Sequence, residues 1–373
     1  MLYRELGKTG AQVSLLGFGA MRLPMLEKNY KSIVDEKEST KIIHRAFELG
    51  VSYIDTAYGY CEGLSEVAVG KAIKPWREKI SLATKMPTWA VKKKGDCTRF
   101  LHEQLKKLDV EYIDFYHLHA LSRDRMGKNI YKFDVLEEIQ KAKIKGLIKH
   151  ISFSFHDKAE VMKEIIDIGL FESVLCQYNL LDRSNEQMIA YAREKGLGTV
   201  IMGPVGGGRL GVPSDVLRSV NKEVSTTTEL AIKFVMANPN VDCVLSGMSN
   251  LAMVEENAQV ASKGRVLTDE EVKQVNEAME ENRKLAELYC TGCNYCMPCP
   301  YDINIPLNFS LMNYHRVYGL TDYAKQNYQW IGSNEWMKGK KAEECVECGV
   351  CEKKCPQHIE IRKQLKETAN ALR

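Results

Sequence analysis

The sequence predicts an α/β chain: a (β/α)8 TIM barrel followed by a small, mainly helical domain. Two observations carry this expectation. From about residue 50 to 285, short runs rich in Val, Ile, Tyr and Phe alternate with amphipathic stretches. Repeated β-then-α units imply a parallel sheet covered by helices, and seven or eight units over about 235 residues suit a closed barrel better than an open sheet. Beyond residue 285 the pattern breaks, and eight of the twelve cysteines gather in two compact runs. The expected domains are therefore residues 1–284 and 285–373.

Taken in order, YREL and VSLLG flank GKTGAQ, whose glycines suit the tight turn of an N-terminal hairpin. The strand candidates that follow are VSYID (51–55), ISLATK (80–85), EYIDFYHLH (111–119), IKHISFS (148–154), SVLCQY (173–178), GTVIM (198–202) and DCVLSG (242–247). A shorter one lies near Arg265–Leu267. Between them, STKIIHRAFELG (39–50) and RFLHEQLKKLDV (99–110) repeat apolar residues at helical spacing, and Leu101, Leu105 and Leu108 share one face. Thr268 is the expected N-cap of the last barrel-region helix, with Glu271 completing a capping box, and that helix runs to about Leu288.

A hydrophobic fraction of 45% supports a full core, and a net charge of +3 without a basic stripe argues against nucleic acid as a partner. No run of 18 apolar residues suggests a membrane span. The N-terminus MLYRELGKTG lacks the apolar stretch of a signal peptide. The expected location is cytoplasmic, where clustered cysteines read as metal ligands rather than disulfides.

The first cysteine run, CTGCNYCMPCP, holds Cys290, Cys293, Cys296 and Cys299; the second, CVECGVCEKKCP, holds Cys345, Cys348, Cys351 and Cys355. Three cysteines at two-residue gaps surround one small cofactor, and a further Cys-Pro points its sulfur elsewhere. That is the ligand pattern of paired [4Fe–4S] clusters, in which the last cysteine of each run serves the other cluster. Zinc sites instead use pairs of C-x2-C, four ligands per ion. Residues 300–344 carry Tyr301, Tyr314, Tyr318, Tyr323, Tyr328, Trp330 and Trp336, which wrap the clusters against water, fill a small core, or both. Cys61, Cys97, Cys176 and Cys243 are scattered; Cys61 adjoins Tyr60.

Functional residues of such barrels lie at the C-terminal ends of the strands. YIDTAYGY places Asp55 and Tyr60 there, LATK places Lys85, and FYHLH places His119. An ammonium beside a phenol favours the phenolate. Lys85 supplies that charge, Asp55 holds Lys85 by ion pairing, Tyr60 gives a proton to a developing alkoxide, and His119 orients the substrate oxygen. Singly, each has a bland reading: Asp as a helix cap, Lys as a solvated charge, and His117 with His119 as packing or a metal pair. Together, in this order on these strand ends, they are far more specific.

This set resembles the aldo-keto reductases, as do QYN (177–179), GPVGGGRLG (203–211) and LSGMSN…EEN (245–257). The resemblance covers about residues 1–285. It implies a barrel that binds an extended nicotinamide cofactor without a Rossmann domain, hydride transfer to or from a small carbonyl or alcohol substrate, and Asp55, Tyr60, Lys85 and His119 as the catalytic tetrad. By the same resemblance Gln177 and Ser154 hold the carboxamide, although Phe155 stands where the family has Asn. The loop Gly203, Pro204, Val205, Gly206, Gly207, Gly208 matches the pyrophosphate loop, whose backbone N–H groups approach phosphate oxygens. The G-x-G-x-x-G formed by Gly206, Gly208 and Gly211 is accidental, because it lies late in the chain after a sixth strand. Glu256 and Asn257 match the adenine pair. Gly247 and Met253 replace the cations that grip a 2′-phosphate; Ser249, Asn250 and Arg209 are candidates to compensate, so NADP and NAD both remain open.

Beyond residue 285 the chain looks like a two-cluster ferredoxin, with a helical insert more like the ferredoxin-like iron–sulfur domain of succinate dehydrogenase subunits. The implied ligand sets are Cys290, Cys293 and Cys296 with Cys355, and Cys345, Cys348 and Cys351 with Cys299. Only Met297 and Pro298 separate Cys299 from its triplet, so a [3Fe–4S] cluster or a single cluster stays open. Hydride carries two electrons and each cluster one. Electron transfer between them calls for a converter such as a flavin, or the clusters serve docking, sensing or structure; a redox partner protein is a candidate partner. The alternative to an enzyme is a non-catalytic redox-sensing or partner-binding subunit. The substrate pocket is expected in loops 22–38, 86–97, 120–132 and 207–225, with Trp89 as an aromatic wall.

Overall fold

The computed structural model describes all of the chain except residues 29–30, 222–223, 263–265, 288–289, 291–292, 335–336 and 357. The expectations placed on Arg265, Leu288 and Trp336 lie outside the described residues. The chain divides into two compact units, Met1–Gly206 with Ala231–Leu267, and Gly207–Leu230 with Thr268–Arg373.

The first unit is a closed parallel barrel preceded by a hairpin. The hairpin strands β1 (Tyr3–Glu5) and β2 (Gln12–Ser14) pair antiparallel, Tyr3 opposite Ser14. Next come β3 (Leu16–Gly19), β4 (Met25–Lys28), β5 (Lys31–Val34), β6 (Tyr53–Asp55), β7 (Ser81–Met86), β8 (Ile113–Leu121), β9 (Ile148–Phe155), β10 (Ser173–Gln177), β11 (Gly198–Met202) and β12 (Cys243–Ser246). The barrel closes in the order β10-β11-β12-β3-β6-β7-β8-β9. A pair of antiparallel strands, β4 and β5, lies in the 22–38 stretch that the sequence marks as loop.

One expectation is corrected. The eighth barrel strand is not the segment near Arg265–Leu267, of which Val266 and Leu267 are irregular, but β3, which pairs with both β12 and β6. The run Val13–Ala20 conceals this because Val13–Phe18 is buried without a break, so a hairpin arm and a barrel strand read as one apolar stretch. Strands covered on both faces have no alternation to reveal where one stops.

Leu6 and Val13 of the hairpin pack with Tyr53, Ala83, Phe115, Leu175, Val200 and Leu245 of the barrel strands in one buried cluster. The surrounding helices bury the faces their spacing predicts. In Glu36–Glu48, Ile42, Ile43, Ala46 and Phe47 are buried, and the Asp35 carboxylate accepts from the Glu38 N–H at 3.0 Å. In Asp96–Leu108, Phe100, Leu101, Leu105 and Leu108 are buried together with Gln104.

Among its described residues the second unit includes the helices Asp269–Glu287, Ile305–Arg316, Thr321–Gln329 and Ile361–Leu372. The capping box forms: the Thr268 N–H donates to Glu271 Oε2 at 2.8 Å, and the Glu271 N–H to Thr268 Oγ1 at 3.3 Å. Ile303, Ile305, Phe309, Leu311, Tyr328, Leu365 and Leu372 form the core, and Cys296 and Cys351 belong to it. Among the described residues no helix is long and apolar enough to cross a membrane.

Candidate active site and cysteine cavities

Asp55 ends β6, Lys85 lies near the end of β7 and His119 near that of β8, while Tyr60 opens the turn Tyr60–Gly63. The Lys85 ammonium donates to Asp55 Oδ1 and, at 2.8 Å, to the Thr56 carbonyl. It also lies 4.6 Å from the centre of the Tyr60 ring. The His119 ring meets Tyr60 edge-on at 6.0 Å and Trp89 at 5.0 Å. The four side chains named from the strand ends therefore meet in one place, with Trp89 as a wall.

In an ion pair this deeply buried, with 1% and 4% of its side chains exposed, lost hydration offsets much of the attraction. Such pairs are a frequent mark of function. Burial, the largest single influence, pulls the Lys85 ammonium down, but the Asp55 carboxylate and Tyr60 together hold Lys85 above its ordinary value. Burial raises the Tyr60 phenol, opposed by Lys85, so Tyr60 keeps its proton at neutral pH. The sequence alone suggested the opposite net direction, because it showed the ammonium and not the burial. His119 is lowered to about 2, chiefly by burial and then by the Lys85 charge. His117, fully enclosed and 3.4 Å from the Tyr53 hydroxyl, is lowered to about 3 by the same causes. His117 is thus a packed barrel histidine.

Replacing Asp55 with Asn should destabilise the barrel by about 3–5 kcal/mol, because an uncompensated buried ammonium remains. Urea unfolding followed by tryptophan fluorescence measures this, and pairing the change with Lys85→Met should restore part of the loss. A single variant as stable as the parent would show that Lys85 is not charged there.

Sequence reasoning missed the polar frame behind Lys85. Gln104 Nε2 donates to the Lys85 carbonyl at 3.1 Å, and the Tyr116 hydroxyl donates to Gln104 Oε1 at 2.7 Å. Thr84 Oγ1 donates to buried Glu66 at 2.7 Å. A signal existed, since Gln104 sits on the apolar stripe of Phe100, Leu101, Leu105 and Leu108. Buried polar groups need partners, so such an interruption announces a network.

The cofactor candidates fall into groups. Ser154 is buried on β9 and its Oγ accepts from the Ala120 N–H at 2.6 Å; Phe155 beside it is core. Gln177 ends β10, and its carboxamide lies against Gly203, where a Cβ would come within 3.7 Å of it. Asn179 and Asn185 hold this corner: Asn179 Nδ2 donates to the Gly203 carbonyl at 3.0 Å, and Asn185 Nδ2 to the Gln177 carbonyl at 2.9 Å. Gly203, Gly206, Gly207 and Gly208 all have positive φ, flanking Pro204 and Val205. Gly207 has nothing within 4 Å of the place a Cβ would take. Asn250 accepts from the Met253 N–H at 2.9 Å and caps the helix Leu251–Ser262; the Ser249 hydroxyl points to the Met253 sulfur at 3.5 Å. Asn257 is buried and donates to Ser246 Oγ at 2.9 Å, while Glu256 is exposed. Arg22 was not legible: its stem lies 3.7 Å from the place of a Gly247 Cβ, so a cation borne on another loop reaches this edge.

The eight cysteines line two cavities. Cys299, Cys345, Cys348 and Cys351 line one with Ile303, Ile305 and Leu365. Cys290, Cys293, Cys296 and Cys355 line the other with Ile305, Pro306, Phe309 and Ile359. Each triplet therefore meets the last cysteine of the other run. Four thiols around each cavity suit a cluster in which each thiolate binds a different iron. Of the aromatics between the runs, Tyr301 stands on a cavity wall, Tyr314, Tyr323 and Tyr328 join the core, and Trp330 is exposed.

The model of the aldo/keto reductase family matches residues 15–280. The chain belongs to the aldo/keto reductase family. A 4Fe-4S dicluster domain follows at residues 289–360, so this aldo/keto reductase carries an iron–sulfur domain as well. Its barrel is 30% identical over 307 residues to the uncharacterized oxidoreductase YqkF of Bacillus subtilis, covering 73% of this chain and 95% of that protein. Among solved structures, the holo form of the aldo-keto reductase AKR11C1 from Bacillus halodurans superposes with a TM-score of 0.64. It is 29% identical and is matched over 74% of this chain and 96% of its own. An aldo-keto reductase from Klebsiella pneumoniae in complex with NADP and acetate has a TM-score of 0.61 at 22% identity, over 73% of this chain and 93% of its own, a likeness of fold alone.

Proposed function

We propose that this aldo/keto reductase transfers hydride between a nicotinamide cofactor and a small carbonyl or alcohol, and that its cysteine cavities hold two [4Fe–4S] clusters that carry single electrons. The observation that carries the reading is the buried Asp55–Lys85 pair set against Tyr60 and a neutral His119. When bound, a reduced nicotinamide supplies hydride to the carbonyl carbon. The chain's residues do the rest. Tyr60 holds the proton that the product oxygen needs, and Lys85 stabilises the phenolate left behind. Asp55 keeps Lys85 charged. His119, uncharged, orients the carbonyl oxygen by a hydrogen bond. Gln177 and Ser154 hold the carboxamide, the glycine run Gly203–Gly208 the pyrophosphate, and Glu256 and Asn257 the adenine. NADP and NAD are both retained, with Ser249, Asn250 and Arg22 at the edge where a 2′-phosphate would be read.

For the clusters, the thiolates pair as the cavities do, and residues 285–373 serve as the cluster domain. Clusters supply one-electron chemistry, and the apolar walls of Ile303, Ile305 and Phe309 exclude water. A redox partner protein is the fitting outlet for these electrons, and the cytoplasm the fitting compartment.

Anaerobic protein whose clusters have been reduced with dithionite should, on adding NADP⁺ or NAD⁺, lose its cluster EPR signal as nicotinamide absorbance grows. Flavin analysis of the sample then identifies any converter. Clusters that stay reduced, in protein that still reduces aldehydes, would remove the electron-transfer coupling and leave the reductase. No turnover of an aldehyde panel with either cofactor would remove the reductase.

The histidines set a pH test. With His119 at about 2, carbonyl reduction should be flat from pH 5 to 8 and fall only in alkali, as Tyr60 loses its proton. A rate limb near 6.5 that disappears in His119→Asn would refute a neutral His119. The same burial predicts that the stability owed to both histidines is complete above their unfolded value of about 6.5 and is lost as pH falls below it. The unfolded chain then binds protons that the folded chain refuses.

A further inference from the structure

The segment Gly207–Leu230 follows β11 in the chain, yet belongs to the same compact unit as the cysteine-bearing helices. Within that unit it is tied down twice. Arg209, directly after the glycine run, donates its Nη1–H to the Tyr314 hydroxyl and lies 5.3 Å from the centre of that ring. Tyr314 is in turn braced edge-on by Tyr323 at 5.6 Å and by the tilted ring of Tyr318 at 6.3 Å. Further along, Ser214 Oγ donates to the Tyr318 carbonyl at 2.6 Å. Gly319, at φ +64°, allows the close approach, since a Cβ there would come within 3.2 Å of Ser214 Oγ.

Tyr314 stands on the helix Ile305–Arg316. The first turns of that helix line the cysteine cavities, Ile305 in both and Pro306 and Phe309 in the one formed by Cys290, Cys293, Cys296 and Cys355. One rigid helix thus has cavity walls at its start and the Arg209 anchor near its end.

We infer that Tyr314 is a positioning residue for the nicotinamide cofactor: by holding Arg209 it fixes Gly207 and Gly208, so that cofactor affinity depends on the helix that encloses the clusters. This rests on the reading that the glycine run holds the pyrophosphate. The physical reason lies in the glycines. Gly207 and Gly208 have positive φ and freedom to lose, and an unanchored run must be ordered at the moment of binding. An anchor removes that cost in advance. Linkage makes the effect reciprocal, so bound cofactor should also favour the ordered helix.

The test is a double-mutant cycle in the full-length, cluster-loaded protein: wild type, Tyr314→Phe, Arg209→Met and both together. Kd for NADPH and NADH is read by fluorescence, amide exchange over residues 206–211 by mass spectrometry, and cluster content by iron analysis and EPR. Each single variant should weaken cofactor binding about five- to tenfold. The double variant should be no worse than Arg209→Met alone, and kcat at saturating cofactor should move far less than Kd. Exchange should quicken in every variant while iron content holds. A large loss in Arg209→Met with none in Tyr314→Phe would mean that the guanidinium grips phosphate itself, and would overturn the inference. Additive losses, or unchanged exchange, would overturn it too. If the wild type binds neither cofactor, the reading of the glycine run fails. The exchange data then decide the anchor alone, faster exchange supporting it and unchanged exchange overturning it.

Discussion

Replacing Tyr60 with Phe should lower carbonyl reduction by about 10²–10⁴-fold while leaving cofactor affinity nearly untouched. The change removes one oxygen and its proton. The ring that faces the Lys85 ammonium at 4.6 Å and meets His119 edge-on stays in place, so the pocket keeps its shape. What disappears is a phenol that burial keeps protonated while a fixed ammonium stands ready to stabilise its anion. Lys85→Met would make a blunter probe, since it strands the buried Asp55 carboxylate and mixes lost stability with lost chemistry. Steady-state rates on an aldehyde panel, with cofactor Kd measured separately, check the expectation. A Tyr60→Phe protein within tenfold of the parent would place the proton on another group.

The second large effect concerns iron. Cys355→Ala should remove about half of it, and the half lost should be the cluster of Cys290, Cys293 and Cys296 rather than that of the neighbouring Cys345, Cys348 and Cys351. The reason is the crossed arrangement of the cavities. EPR of Cys355→Ala should therefore match that of Cys296→Ala and differ from that of Cys351→Ala. The opposite match would uncross the ligand sets. The fold should suffer as well, since Cys296 and Cys351 sit in the hydrophobic core and a cluster's binding energy is also folding energy.

The alternation of strands and amphipathic helices made the barrel legible, and the strand ends named its candidate site. The parts that stayed hidden share a physical cause. β3 vanished into a continuous buried run, because a strand covered on both faces carries no period-two signal. The direction of the Tyr60 shift depends on how completely the ring is enclosed, which the chain's order does not state. Arg22 and Gly247 meet only because a closed barrel makes neighbours of its first and last strands. Gln104, by contrast, was readable as a polar residue on an apolar stripe and was passed over. In the cysteine runs, spacing carried more than usual, since thiolates two residues apart have few ways to share one cofactor.

That Gly207–Leu230 sorts with Thr268–Arg373 has a consequence for biosynthesis. The segment leaves the ribosome before any of the C-terminal partners it will rest on, and chains fold as they emerge, N-terminal parts first. The nascent chain therefore carries this stretch without those partners until they have emerged in their turn.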